Sequence, residues 1–232
     1  MKGKLYIVAT PIGNLADMTY RAVETLKSAH LIACEDTRHS KVLLNHYKIR
    51  KQLLSFHGHS GKVKVDKIVD YLINCKNVAL ISDAGTPGIS DPGYVLIKEA
   101  LANNIEIIPI PGASAMTTAL CASGLPTDKF LYLGFLPVKK GRQTILKTFS
   151  QIPYTIVFYE SPHRLLKTIN ELKKYLDGKT KIVIAKELTK IYETFFRGTL
   201  DNISEKLPDG KPKGEYVILI SNAVVRRKKP KT

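Results

Sequence analysis

Short apolar runs alternate with helical patterns along the first half of the chain, and this alternation most constrains the fold. Five runs of five or six residues predict β-strands, at 5–10, 31–35, 52–56, 78–82 and 105–110. Between them, apolar residues recur at helical spacing, as at Ala22, Leu26 and Ala29 and at Ile68, Val69, Leu72 and Ile73. Because the strands are apolar on both faces and helices connect them, we expect a mainly parallel sheet covered on both sides.

The second half repeats this rhythm. Strand-like runs occupy 130–135, 154–160, 181–188, 194–200 and 215–221, with helices near 140–150 and 161–176. Ser161 and Pro162 are typical of an N-cap and a first helical turn. About ten strands are many for one open sheet but suit two. We therefore predict an α/β fold with two α/β domains, over 1–112 and 113–224, followed by a basic, disordered tail over 225–232.

The charge balance points to a polyanionic partner. Thirty-six Lys and Arg residues oppose twenty Asp and Glu residues, for a net charge of +16. Such an excess favours nucleic acid, through counterion release and electrostatic steering, over a general gain in solubility. The apolar runs are too short to span a membrane, and the first run resembles a strand rather than a signal peptide. We expect a cytoplasmic protein without membrane contact.

Cysteine usage agrees with that compartment. Cys34, Cys75 and Cys121 lie far apart in apolar segments, and the chain has no CxxC pair. We expect buried free thiols in a reducing environment.

The segment SDAGTPGISDPG, residues 82–93, carries far more turn chemistry than a strand-to-helix connection needs. Ser90 or Asp91 could cap the next helix and Pro92 could open it, which explains only the end of the segment. The DAGTPG part predicts a loop whose backbone touches a ligand, and a side chain at Gly85 would then fill the ligand's space. Neither GxxxxGK[ST] nor a GxGxxG after the first strand is present, so a ligand without phosphates fits better.

Histidines give weaker signals. His57 and His59, two residues apart, could share a metal on a strand, but no cysteine or carboxylate nearby completes a site, so a solvated loop is favoured. No metal is expected, and no Ser-His-Asp or Cys-His arrangement can be recognised from spacing.

Eight motifs in order carry a resemblance to one family: LYIVATPIGNLADMTYRA, EDTRHSKVLL, SDAGTPGISDPG, PGASA, GFLP, FYESPHRL, KELTK and GEYVILI. Together they resemble the ribosomal RNA small-subunit 2′-O-ribose methyltransferases of the tetrapyrrole methylase superfamily, over about residues 4–222. The resemblance implies two α/β domains of the tetrapyrrole methylase type with S-adenosylmethionine in the cleft between them, and a homodimer. It implies methylation of the ribose 2′-hydroxyl of a cytidine in the decoding region of 16S rRNA, within the small ribosomal subunit.

The resemblance also implies a set of cofactor contacts. Asp83, Gly85, Thr86 and Ile89 match the first cofactor loop, and Ser114 and Ala115 match the second. Further positions match strand ends that border the cofactor in the superfamily: Thr10, Pro11, Tyr159, Leu188 and Gly214. The chain departs from the family at Ala113, where proline is common, and in the segment FHGHSGK, where acidic residues are usual. Many relatives continue into a small helical C-terminal domain, whereas this sequence ends at Thr232.

Methyl transfer from a sulfonium is mainly a problem of alignment, helped by a base or by a cation that stabilises the alkoxide. Lys186 and Glu187, at a strand end, are the candidates, with mutual or neighbouring structural pairing as the alternative. Arg38, His163 and Arg164 could contact phosphates. A tetrapyrrole methylase is a rival that the charge and the EDTR and ESPHR motifs disfavour. A non-catalytic RNA-binding or ribosome-assembly factor is disfavoured by the intact cofactor motifs.

Overall fold

The computed structural model describes residues 2–58, 61–208 and 210–222, and these divide into two compact units, one ending at Ser114 and the next beginning at Ala115. His59 and the predicted basic tail over 225–232 lie outside the described residues. No helix in the described ranges is long and apolar enough to cross a membrane.

The first unit is a parallel sheet flanked by helices. Its strands are β1 Leu5–Val8, β2 Leu31–Cys34, β3 Gln52–Ser55, β4 Val78–Ile81 and β5 Ile107–Ile110, in the order β3-β2-β4-β1-β5. The helices are α1 Tyr20–Ser28, α2 Thr37–His46, α3 Lys62–Ile73 and α4 Tyr94–Ala102, and Leu15–Asp17 forms a short 3₁₀ turn. Every strand pair is parallel, as predicted.

Separate apolar clusters cover the two faces of this sheet, one with Leu5, Val65, Ile68 and Leu96 and the other with Val8, Ala22, Leu26 and Ile81. The doubly buried strands explain why their sequences are continuously apolar. Ile73, one of the apolar residues at helical spacing in α3, is exposed, unlike Ile68, Val69 and Leu72.

The second unit holds a mixed sheet with the order β6-β7-β10-β8-β9. Its strands are β6 Phe130–Phe135, β7 Thr155–Glu160, β8 Lys181–Lys186, β9 Thr194–Thr199 and β10 Tyr216–Ser221. Its helices are α5 Ala115–Ser123, α6 Arg142–Thr148 and α7 Leu165–Leu172, with 3₁₀ turns at Phe149–Gln151 and Ile203–Lys206. The five strands fall at the five predicted runs, but only β6 and β7 pair in parallel, and the other neighbours pair antiparallel. No described helix separates β8 from β9, and a short connection of that kind permits only antiparallel pairing.

Both predicted caps are wrong. Helix α4 begins after Gly93 without a side-chain cap, so Ser90, Asp91 and Pro92 precede it. Helix α7 begins after Arg164, so Ser161, Pro162 and His163 form a turn instead of its first residues. The cysteine prediction is half wrong, because Cys34 is buried but Cys75 and Cys121 are exposed free thiols.

Candidate active site

Loops at the carboxyl edge of the first sheet are tied together by backbone contacts. The Thr10 amide donates to the Gly85 carbonyl over 2.8 Å, and the Gly85 amide donates back to the Thr10 carbonyl over 3.0 Å. The buried Thr10 hydroxyl donates to the Ser82 carbonyl over 3.1 Å, and Thr86 Oγ1 donates to the Ala113 carbonyl over 3.4 Å. The ends of β1, β4 and β5, which the sequence marked separately, therefore meet at one place.

Gly85 is required by its own backbone. Its φ of +81° lies in the left-handed region, and a Cβ there would come within 3.4 Å of Ile12 Cγ2 and 3.8 Å of the Ala113 carbonyl oxygen. Both distances are ordinary van der Waals contacts, so the positive φ is what disfavours a side chain here, and the expectation that a side chain would fill ligand space stays a prediction. Ile89, further along the loop, is exposed, whereas Pro11 is partly buried.

Acidic side chains concentrate at this edge of a chain that is otherwise strongly basic. Asp83 Oδ1 accepts the Asp36 amide over 3.2 Å, which joins the loop after β4 to the start of α2. Burial and the charge of Asp83 raise the pKa of Glu35. Burial, with repulsion from Glu35 and Asp83, raises the pKa of Asp91 from 3.8 to about 6. The edge favours a ligand that brings positive charge.

Arg38 lies on α2 beside this edge. Its Nη2 contacts Asp36 Oδ2 at 2.9 Å, and Asp36 caps the helix through the Arg38 amide. The hydrogen bonds from the Arg38 side chain and amide lower the pKa of Asp36 to about 2. The Arg38 side chain remains 90% exposed, so this pairing leaves it accessible to a further anion.

At the second sheet, Lys186 and Glu187 differ sharply. Lys186 ends β8, opposite Tyr216 and Thr194, and makes no ion pair or side-chain hydrogen bond within the described residues. Glu187 Oε1 accepts from Lys190 Nζ at 3.1 Å and from the Glu215 amide at 2.9 Å. Burial alone would raise the pKa of Glu187, but these hydrogen bonds outweigh burial and lower it. Its structural pairing, foreseen as the alternative, is therefore present.

The turn after β8 is strained and tightly packed. Glu187 and Thr189 have φ values of +50° and +65°, on either side of the buried Leu188. A Cβ on Gly214, whose own φ is +95°, would come within 2.7 Å of the Glu187 side chain. A β-branched residue rarely adopts positive φ, and strain of this kind concentrates at functional sites. Thr189, which sequence reasoning missed, adds a buried hydroxyl with no partner in the described residues.

A buried ionic network underlies the ESPHR turn. Glu160, fully buried at the end of β7, accepts from Arg164 Nη2 at 2.7 Å, the Ser161 amide at 2.9 Å and the Thr168 hydroxyl at 2.6 Å. Arg142 donates to Thr168 Oγ1 at 2.6 Å and to Glu171 Oε2 at 2.7 Å. Arg164, predicted to contact phosphates, is thus engaged with Glu160, while His163 is exposed.

Two further predicted cofactor neighbours adjoin each other in the chain, with Ser114 ending the first unit and Ala115 beginning α5. Tyr159, another predicted cofactor neighbour, lies on the opposite face of β7 from Glu160, because side chains alternate along a strand. It packs edge-on against Tyr132 and Phe135, with ring centroids 5.4 Å apart in both cases.

Comparison with known proteins places this architecture in a family. The family model described as Tetrapyrrole (Corrin/Porphyrin) Methylases matches residues 4–204. Proteins named ribosomal RNA small subunit methyltransferase I are similar over nearly the whole chain. The one from Synechocystis sp. is 48% identical, covering 95% of this chain and 80% of its own length. The one from Thermotoga maritima is 45% identical, covering 94% and 98%.

Solved structures agree on the fold. A cobalt precorrin-4 methyltransferase superimposes with a TM-score of 0.70 at 19% identity, covering 94% of both chains. A uroporphyrin-III C-methyltransferase from Thermus thermophilus, complexed with S-adenyl homocysteine, gives 0.63 at 17% identity, covering 95% of this chain and 98% of its own. The chain belongs to the tetrapyrrole methylase family. It is accordingly a methyltransferase with S-adenosylmethionine as its methyl donor.

Proposed function

We propose that this protein methylates the ribose 2′-hydroxyl of a cytidine in the decoding region of 16S rRNA, within the small ribosomal subunit. The observation that carries the proposal is the near-full-length similarity, at 44–49% identity, to proteins named ribosomal RNA small subunit methyltransferase I. The net charge of +16 supports a polyanionic acceptor. We also propose that the protein acts in the cytoplasm as a homodimer.

The first unit suits the cofactor by its charge and its exposed backbone. S-adenosylmethionine supplies a methyl group on a sulfonium and carries net positive charge, which the carboxylates around Asp83 would complement. The loops there present small residues, so backbone groups are approachable. The proposed contacts in this unit are Thr10, Pro11, Asp83, Gly85, Thr86, Ile89 and Ser114, and Ala115 begins the second unit. Those in the second unit are Ala115, Tyr159, Leu188 and Gly214.

Lys186 is the better of the two proposed catalytic groups. Transfer to oxygen breaks the bond between sulfur and methyl carbon, forms the bond between that carbon and the 2′-oxygen, and releases the hydroxyl proton to water or a base. A cation beside the developing alkoxide lowers the cost of losing that proton. The Lys186 side chain makes no ion pair or hydrogen bond in the described residues, whereas the carboxylate of Glu187 is held by Lys190 and the Glu215 amide. Glu187 is then a positioning residue for the turn that bears Lys186.

The acceptor can be tested directly. Small ribosomal subunits from a strain lacking the enzyme should take up labelled methyl groups, and ribose-methylation mapping should find one cytidine of the decoding region. Calorimetry with a chelator present checks that cofactor binding needs no metal. Label on a tetrapyrrole precursor instead of RNA would contradict the proposal, and so would RNA binding without any transfer, which is the behaviour of an assembly factor.

A further inference from the structure

The connection between β6 and α6 carries two adjacent exposed lysines. We call residues 136–141 the lysine loop; its sequence is LPVKKG. Lys139 and Lys140 are exposed, and within the described ranges neither makes an ion pair or a side-chain hydrogen bond. The loop closes as a turn in which the Arg142 amide donates to the Lys139 carbonyl over 3.3 Å.

The base of the lysine loop is held by the buried network. Arg142 Nη1 donates to the Pro137 carbonyl over 3.2 Å, and Arg164 Nη1 donates to the Leu136 carbonyl over 3.2 Å. Both guanidinium groups also bind Glu160, whose side chain is fully buried. Since the backbone of the loop is fixed from below, its two charges are presented without the ordering cost of a flexible segment.

The surrounding edge of the second sheet is positive because the acidic side chains described there are already engaged. Strands β6, β7 and β8 all end at this edge, and β10 begins there. Glu187 and Glu215 bind Lys190, and Glu193 accepts the Thr189 amide. The basic side chains at this edge that make no ion pair in the described residues are Lys139, Lys140, His163, Lys186, Lys211 and Lys213.

We propose that the lysine loop is a contact element for the phosphate backbone of the RNA substrate, and this rests on the proposed function. Lysine ammonium groups act as point charges toward phosphate and carry no base preference. The loop should therefore supply affinity and salt dependence, while the choice of nucleotide comes from elsewhere. Arg164 binds Glu160 and the Leu136 carbonyl beneath the loop, so Arg164 is a positioning residue for this surface.

The test compares two lysine pairs. One variant carries Lys139→Gln and Lys140→Gln. The control carries Lys173→Gln and Lys174→Gln, which removes the same charge from another exposed, adjacent pair of lysines. This pair follows the C-terminal end of α7, at the opposite edge of the same sheet. Binding to small subunits lacking the methyl group is measured over a range of salt. Cofactor calorimetry and thermal unfolding verify that both variants are folded.

Loss of two phosphate contacts should weaken binding about tenfold and make the slope of log affinity against log salt shallower by roughly 1.5. In turnover, KM for subunits should rise while kcat at saturation stays close to that of the unaltered chain. The control pair should match the unaltered chain.

If both pairs give the same slope and the same KM, the lysine loop does not contact RNA, although the unaltered chain still methylates subunits. If the unaltered chain labels no subunit, the proposed function and this inference fail together. A fall in kcat with unchanged KM would assign the loop to the chemical step and also overturn the inference.

Discussion

Replacing Thr168 with valine removes one hydroxyl from the centre of the buried network and leaves its shape nearly unchanged. That hydroxyl donates to Glu160 Oε2 and accepts from Arg142 Nη2, at 2.6 Å in both cases, and the residue is fully buried. A hydrogen bond to a charged group contributes about 1.5–3 kcal/mol, and a buried partner left unsatisfied costs a comparable amount. Since Arg142 and Glu160 keep their other partners, we expect a loss of about 3 kcal/mol, a large part of a typical domain's ~5–15 kcal/mol.

Urea unfolding followed by far-ultraviolet circular dichroism measures this loss, and hydrogen exchange in β7 and β10 locates it in the second unit. The matched control is Thr148→Val, because the Thr148 hydroxyl is exposed and donates only to the Ile145 carbonyl of its own helix. The control should change stability by no more than about 0.5 kcal/mol. If Thr168→Val costs as little as Thr148→Val, the Thr168 hydroxyl contributes nothing measurable to stability, and the reasoning from its two charged partners is refuted.

Three further substitutions test the candidate site. Asp91→Asn should stabilise the fold by about 1–2 kcal/mol at pH 7.5 and by little near pH 4. The raised pKa of Asp91 makes its ionised form costly as pH rises from about 4 to above 6, and partial exposure limits that cost. Unfolding at both pH values measures the difference, and a gain in stability that does not depend on pH would contradict it. Gly85→Ala should destabilise by about 1 kcal/mol or more through its positive φ, whether or not cofactor is present, as thermal unfolding would show; an unchanged midpoint would contradict the backbone explanation. Lys186→Ala should lower kcat while cofactor affinity is kept, and an equal loss of both would assign Lys186 to binding or folding.

The strands were predictable because burial on both faces leaves little choice of residue. Each predicted run lies within two residues of an observed strand boundary, as with 181–188 against Lys181–Lys186. The strand direction in the second sheet was not predictable from apolar runs, since parallel and antiparallel partners can both bury such strands. The length of the β8–β9 connection was the useful signal, because seven residues leave no room for a crossover helix.

The site was predictable where loops follow strands and unpredictable where charges are buried. Thr10, Gly85 and Thr86 meet because parallel strands end at one edge, a consequence of topology alone. Glu160 and Arg142, in contrast, look like ordinary surface charges in the sequence. A signal was present on α7, where Thr168 and Glu171 interrupt the face that also carries Leu165 and Leu172. Polar residues at that spacing on an apolar face indicate a buried partner.

The charges of the chain are sorted between its two sheets in a way that its net charge conceals. The edge of the first sheet gathers carboxylates, and burial together with repulsion from neighbouring carboxylates raises the pKa values of Glu35 and Asp91. The edge of the second gathers lysines whose acidic neighbours are already bound to other groups. Counterion release adds little to the binding affinity of a small cation, whereas it adds to the affinity of a polyanion for every phosphate that is neutralised. Salt should therefore weaken RNA binding far more than cofactor binding, and ionic strength separates the two steps without any substitution.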